Sequence, residues 1–156
     1  MTSSSGLTIF CDDIRQEIGG KYSLVGCYGG ELIVVSDGNA VLPKLCASIN
    51  LRIPSDHEFQ EITLEITKSN GDQKKELFKT SVRFEDIKSN SPEGRRPEAD
   101  TTEEKVLDLR MPWIISPLEV TEDCLIKVRA YIDDECLKLG ALKILLQSPS
   151  SSDQSI

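Results

Sequence analysis

Residues 121–147 constrain the fold more than any other stretch. With Val120 they read VTEDCLIKVRAYIDDECLKLGALKILLQ. Ile126, Val128, Ala130 and Ile132 fall on one parity, and Lys127, Arg129 and Tyr131 on the other. A period of two marks a strand with one dry face and one wet face. Asp133, Asp134 and Glu135 interrupt it, and Leu137, Leu139, Leu142, Ile144 and Leu146 resume an apolar run. The pattern predicts a hairpin with the acidic triplet in its turn. A hairpin this apolar is not stable alone in water, so it requires a second sheet to pack on.

The same alternation recurs upstream. Leu45, Ala47, Ile49, Leu51 and Ile53 alternate with Cys46, Ser48, Asn50 and Arg52. Ile62, Leu64 and Ile66 alternate with Glu61, Thr63, Glu65 and Thr67. Asn70-Gly71 then predicts a tight turn into a return strand over 75–84, with Phe78, Thr80, Val82 and Phe84 on one face. Leu7, Ile9 and Cys11 interleave with Thr8 and Phe10 in a first short strand. Residues 12–20, DDIRQEIGG, read as one helical turn or a loop, and 21–35 as a hairpin turning at Gly29-Gly30. Leu107, Leu109 and Met111 alternate until Pro112-Trp113 and Ser116-Pro117 break the pattern.

About eight or nine short strands and no long amphipathic helix predict an all-β fold. Wet faces of period two favour antiparallel pairing, so the expectation is a single antiparallel β-sandwich, immunoglobulin-like or C2-like, over residues 7–147. Its expected inward residues are Leu45, Ile49, Leu51, Ile62, Leu64, Ile66, Val82, Leu109, Ile126, Val128, Ile132 and Leu142. Residues 1–6 read as a flexible lead and 148–156 as a disordered tail. Residues 85–104 hold seven acids against three bases, with Pro92 and Pro97 and almost nothing apolar. Such a stretch cannot offset the entropy of ordering itself, so it is expected to be a long mobile polar loop.

At 156 residues the chain is long enough for one domain with a core that needs neither disulfide nor metal. The net charge of −8 disfavours nucleic acid and anionic membranes as main partners. The polar start MTSSSG lacks the basic and apolar regions of a signal peptide, and no apolar run reaches spanning length. The five cysteines, Cys11, Cys27, Cys46, Cys124 and Cys136, are widely spaced without CxxC. They read as free thiols of a reducing compartment, so a cytoplasmic location is expected.

No constellation for catalysis stands out in the sequence. His57 is the single histidine, in a loop reading PSDHEF, and no GxSxG accompanies it. Asp12, Asp13, Asp37, Asp56, Asp72, Asp133 and Asp134 lie at turns, where Asp is an ordinary turn former. Several loops of acids at one end of a sandwich are also how calcium-dependent membrane-binding domains work, but the DxD spacing is missing here. The glycine clusters match no phosphate-binding pattern. Arg95-Arg96 is the only arginine doublet and would offer forked donors to an acidic partner, while Trp113 would be an anchor if exposed. Arg95, Arg96 and Trp113 are therefore the expected partner-binding residues, with no catalytic residue, metal ligand or cofactor assigned.

The stretch 10–35, FCDDIRQEIGGKYSLVGCYGGELIVV, resembles the opening of a family of small uncharacterised bacterial and phage-encoded proteins, in which an FCDD-like start leads to a KxSLxGxYGGE-like hairpin. The resemblance covers about the first third of the chain. It implies a bacterial or phage origin and an antiparallel sandwich, and it carries no activity or site residue. The expected function is a non-enzymatic protein-binding or accessory module. Two alternatives stand beside it: a small-ligand- or nucleotide-sequestering protein or enzyme whose pocket forms in a homo-oligomer, and a calcium-dependent membrane-binding domain.

Overall fold

The computed structural model describes residues 3–90 and 106–149. Nearly every described element is a strand: β1 (Ser5–Gln16), β2 (Tyr22–Cys27), β3 (Glu31–Val35), β4 (Ala40–Leu42), β5 (Leu45–Pro54), β6 (Glu61–Asn70), β7 (Gln73–Arg83), β8 (Val106–Ile115), β9 (Leu118–Val120), β10 (Cys124–Ile132) and β11 (Glu135–Gln147). One short helix, α1 (Phe84–Asn90), follows β7. The fold is all-β. The strands form a four-stranded sheet ordered β2-β1-β5-β8, a five-stranded sheet ordered β3-β11-β10-β6-β7, and a β4-β9 ribbon. The expected eight or nine strands thus become eleven in three sheets among the described residues.

Two departures from the expected pairing have physical causes. Residues 12–16 are not a loop: β1 runs on to Gln16 and pairs antiparallel with β2, and Gly19-Gly20 fall in the turn that closes that hairpin. Residues 21–35 therefore do not form a hairpin. Gly29-Gly30 instead carry the chain to the other sheet, where β3 lies parallel to β11 and Lys143 N–H donates to Gly30 O at 2.9 Å. Leu32 and Val34 pack against the core from that position. The pairing is consequently mixed rather than purely antiparallel. Nor does Pro112 end a strand. β8 is an edge, pairing only with β5, and an edge strand tolerates a residue without an N–H.

The C-terminal hairpin forms as its alternation predicts, with Asp133-Asp134 in the turn, while Glu135 of the expected acidic turn already pairs with Ile132 in β11. The pairing register shifts between Val128 and Arg129, opposite Gly140. This shift explains why the inward leucines change parity, from Leu137 and Leu139 to Leu142, Ile144 and Leu146. One hydrophobic cluster draws on both larger sheets, with Phe10, Leu45, Ile49 and Ile53 from one and Ile62, Ile66, Ile126, Val128 and Leu142 from the other. All the expected inward residues are buried except Val82 and Leu109, which are half-buried. Those two sit on the edge strands β7 and β8, beside a small apolar slot of about 130 Å³ between the sheets.

Ser5 and Gly6 pair with Arg52 and Leu51, so the ordered chain starts earlier than Leu7. α1 occupies the start of the expected 85–104 loop, and Phe84 stacks edge-on to Phe59 with centroids 4.7 Å apart. The rest of that loop, and residues 150–156 of the expected tail, lie outside the described residues. No helix among the described residues is long and apolar enough to cross a membrane.

Candidate functional site

β5 is the centre of the site. Ala47, Ile49, Leu51 and Ile53 go into the core, which turns Ser48, Asn50 and Arg52 to the outer face of the four-stranded sheet. The register places Leu7 and Arg110 on either side of Asn50, Ile9 and Pro112 on either side of Ser48, and Ser5 and Asp108 on either side of Arg52. With Ile14, Leu24 and Tyr22 from the β1-β2 hairpin, these residues other than Ser5 line a groove of about 470 Å³. One wall is apolar and the other carries Arg52, Asp108 and Arg110. Leu7 is 52% exposed and Tyr22 43% exposed, so this apolar wall stands in water. Arg110 lies 3.8 Å from Asp108, whereas Arg52 has no ion-pair partner among the described residues.

A polar cluster braces the hairpin behind that wall. The Tyr28 hydroxyl donates a short hydrogen bond to Asp12 Oδ1. Gly26 makes room for this carboxylate: a Cβ there would fall 2.2 Å from Asp12 Oδ2, and the glycine has a φ of 67°. Burial, then the bond to Asp12, pushes the Tyr28 phenol up to about 12. Asp13 Oδ1 accepts from Lys44, and Asp13 Oδ2 accepts from Arg15 Nε at 3.2 Å. The hydrogen bonds from Lys44 and Arg15 hold the Asp13 carboxyl below its ordinary range, and the bond to Asp13 raises Lys44. Each acid here already has a donor, so the cluster tethers β1 to the start of β5.

Asp133, one of the turn acids considered for calcium, serves the backbone, as does Asp123 from outside that set. Asp133, with a φ of 49°, accepts from Gln60 N–H at 3.0 Å and Glu61 N–H at 3.1 Å. Asp123 accepts from Leu146 N–H at 2.8 Å. No group of three or more His, Cys, Asp or Glu among the described residues is placed to hold a metal ion.

Of the expected partner-binding residues, Arg95 and Arg96 lie outside the described residues. Trp113 is 7% exposed and belongs to the core, so its ring has no free face to offer as an anchor. Its side of β8 is the inner one, opposite Ala47. His57 is half-buried, with its ring 6.4 Å from that of Phe59. Sequence reasoning set Cys46, Ser48, Asn50 and Arg52 outward; Cys46 is fully buried instead, and the groove that the other three line was missed. The missing information was which strands flank β5, together with the choice of Phe10 over Leu7 and Ile9 as the core residue of β1. No family model and no curated protein matches the chain.

Proposed function

We propose that the chain is a protein-binding module of one β-sandwich, immunoglobulin-like or C2-like in broad layout, whose docking face is the outer groove of the four-stranded sheet. The two larger sheets are its layers, and the single core drawn from both supports that reading. The observation that carries the function is the groove's composition: Leu7, Ile9, Ile14, Tyr22 and Leu24 face Arg52, which has no ion-pair partner among the described residues. Apolar area left in water favours association by about 25 cal/mol for each Å² covered, and an unpaired arginine at its rim supplies orientation. The matching partner is a protein segment with apolar side chains and an acidic residue that reaches Arg52. The resemblance of residues 10–35 supports a bacterial cytoplasm, for a bacterial or phage-encoded chain, as the setting of such a partner.

Native mass spectrometry of the chain isolated from its own cells tests this. The wild-type chain retains a protein, and a Leu7→Asp, Arg52→Glu double variant with an unchanged melting temperature loses it, with affinity down by about tenfold or more. A small molecule retained by the wild type in place of a protein would establish the ligand-sequestering alternative.

A further inference from the structure

Three cysteines stand abreast on neighbouring strands. Cys11 of β1 is the register partner of Cys27 on β2 and of Cys46 on β5. Their accessibility differs sharply: Cys27 is exposed, while Cys11 and Cys46 are fully buried. The Cys11 thiol donates to Asp13 O at 3.4 Å and the Cys46 thiol to Asp12 O at 3.6 Å. The outer two cysteines are two strand spacings apart, about 9–10 Å, too far to share one metal ion with Cys11.

The backbone ranks the two pairs. Tyr28 N–H donates to Phe10 O at 2.8 Å, so Phe10 turns its peptide groups toward β2 and the next residue, Cys11, turns its own toward β5. Cys11 and Cys27 therefore form a non-hydrogen-bonded pair, with Cα atoms about 4.5 Å apart and side chains close, and Cys11 and Cys46 a hydrogen-bonded pair at about 5.5 Å. Both separations lie in the disulfide range of about 4.4–6.8 Å, so geometry permits either bond, one at a time. Access decides between them, because only Cys27 meets a reagent in water.

We propose that Cys27 and Cys11 form a thiol-oxidation site for low-molecular-weight disulfides of the glutathione class, closing a cross-strand bond between β1 and β2. The Cys27 thiolate attacks the small disulfide, its S–S bond breaks, and one thiolate leaves. Cys11 then attacks the Cys27 sulfur, the mixed disulfide breaks, and a second thiolate leaves. Two protein thiols are oxidised to one disulfide, the reagent is reduced to two thiols, and the protons lost by Cys27 and Cys11 go to the two leaving groups. Burial first, then the neighbouring Cys46 and Cys27, pushes the Cys11 thiol up to about 11. The second step therefore quickens by about tenfold per pH unit below that value, with the Cys11 thiolate fraction. The bond ties the two strands that carry Ile14, Tyr22 and Leu24, and the inference holds whatever occupies the groove.

The test treats the full reduced chain with millimolar oxidised glutathione and maps the product by mass spectrometry under non-reducing conditions. The expected product lacks two hydrogen atoms and joins the Cys11 and Cys27 peptides. Cys46→Ser retains the bond, Cys27→Ser abolishes it, and Cys11→Ser stops at a glutathione adduct on Cys27. Cys27 is exposed, so Cys27→Ser reads out even if substitution at buried Cys11 disturbs folding. A wild-type product joined through Cys46 or Cys136, a lasting adduct at Cys27 beside a free Cys11, or no reaction at Cys27 would each overturn the proposal.

Discussion

The two outer sheet faces of the molecule solve the same problem differently. The outer face of the five-stranded sheet is polar across its central strands and exposes Ile33 and Val35 on its edge strand β3. Lys79, Glu65, Arg129 and Lys138 follow one another in register, Lys74 Nζ lies 3.0 Å from Glu65 Oε1, and Thr63 and Ser81 hydroxyls are 2.7 Å apart. The outer face of the four-stranded sheet interleaves Leu7, Ile9 and Pro112 with Ser48, Asn50 and Arg52 and leaves Leu7 and Ile114 about half exposed. Polar groups in water have little to gain from a partner, because each new hydrogen bond replaces one already made with water. A wet face with apolar rows gains by being covered. The proposed docking face rests on this difference, although the inner faces of the two sheets share one core.

The largest expected effect sets the scale for the inner side. Val128 is 1% exposed, and Val128→Asp buries an unpaired charge at a cost of about 3–5 kcal/mol. Leu7→Asp, on the groove face, is expected to stay within about 0.5 kcal/mol, because that residue is already in water. Chemical unfolding of both variants compares them directly, and a Leu7→Asp variant as unstable as Val128→Asp would place the groove wall in the core.

A smaller effect probes the brace behind the wall. Gly26→Ala must hold a Cβ at a φ of 67° and push Asp12 away from Tyr28. The left-handed backbone alone costs about 1–2 kcal/mol. Gly29→Ala, with open space around it, should change stability by less than about 0.5 kcal/mol. Equal effects at the two glycines would show that the Asp12 pocket does not shape the hairpin.

The smallest effect is a pH dependence. Tyr28 holds its proton more tightly folded, up to about 12, than unfolded, near 10. Its contribution is therefore fully present below pH 10 and is lost as pH rises through about 12. Tyr28→Phe should flatten this alkaline limb, leaving the earlier part contributed by Cys11, whose proton is held up to about 11. Urea midpoints between pH 8 and about pH 12 measure it. An unchanged limb in Tyr28→Phe would show that burial and the bond to Asp12 do not hold the Tyr28 proton in the folded chain.

Much of the inner side was legible in the sequence. Alternation in β5, β6 and β10 determined which parity faces the core, although Cys46, Glu65 and Thr67 on the other parity are buried as well. The hairpin with Asp133-Asp134 in its turn followed from the same rule. The outer side was far less legible. A groove depends on strand order, and nothing local in Leu7, Asn50 and Arg110 says that they become neighbours. β1 carries apolar residues on both parities, so its alternation could not decide between Phe10 and the set of Leu7 and Ile9. Gly29-Gly30 looked like a tight turn because a glycine pair serves a turn and a crossing between sheets equally well. Trp113 was ambiguous until its pairing with Ala47 showed which way it points.

The most direct measurement places a photo-crosslinking amino acid in turn at Leu24, on the groove wall, and at Lys127, on the outer face of the five-stranded sheet, and irradiates intact cells of the native host. The account predicts one discrete protein adduct from Leu24 that disappears when Arg52→Glu is added, and none from Lys127. An adduct from Lys127 with none from Leu24 would contradict it and move the docking face to the opposite sheet.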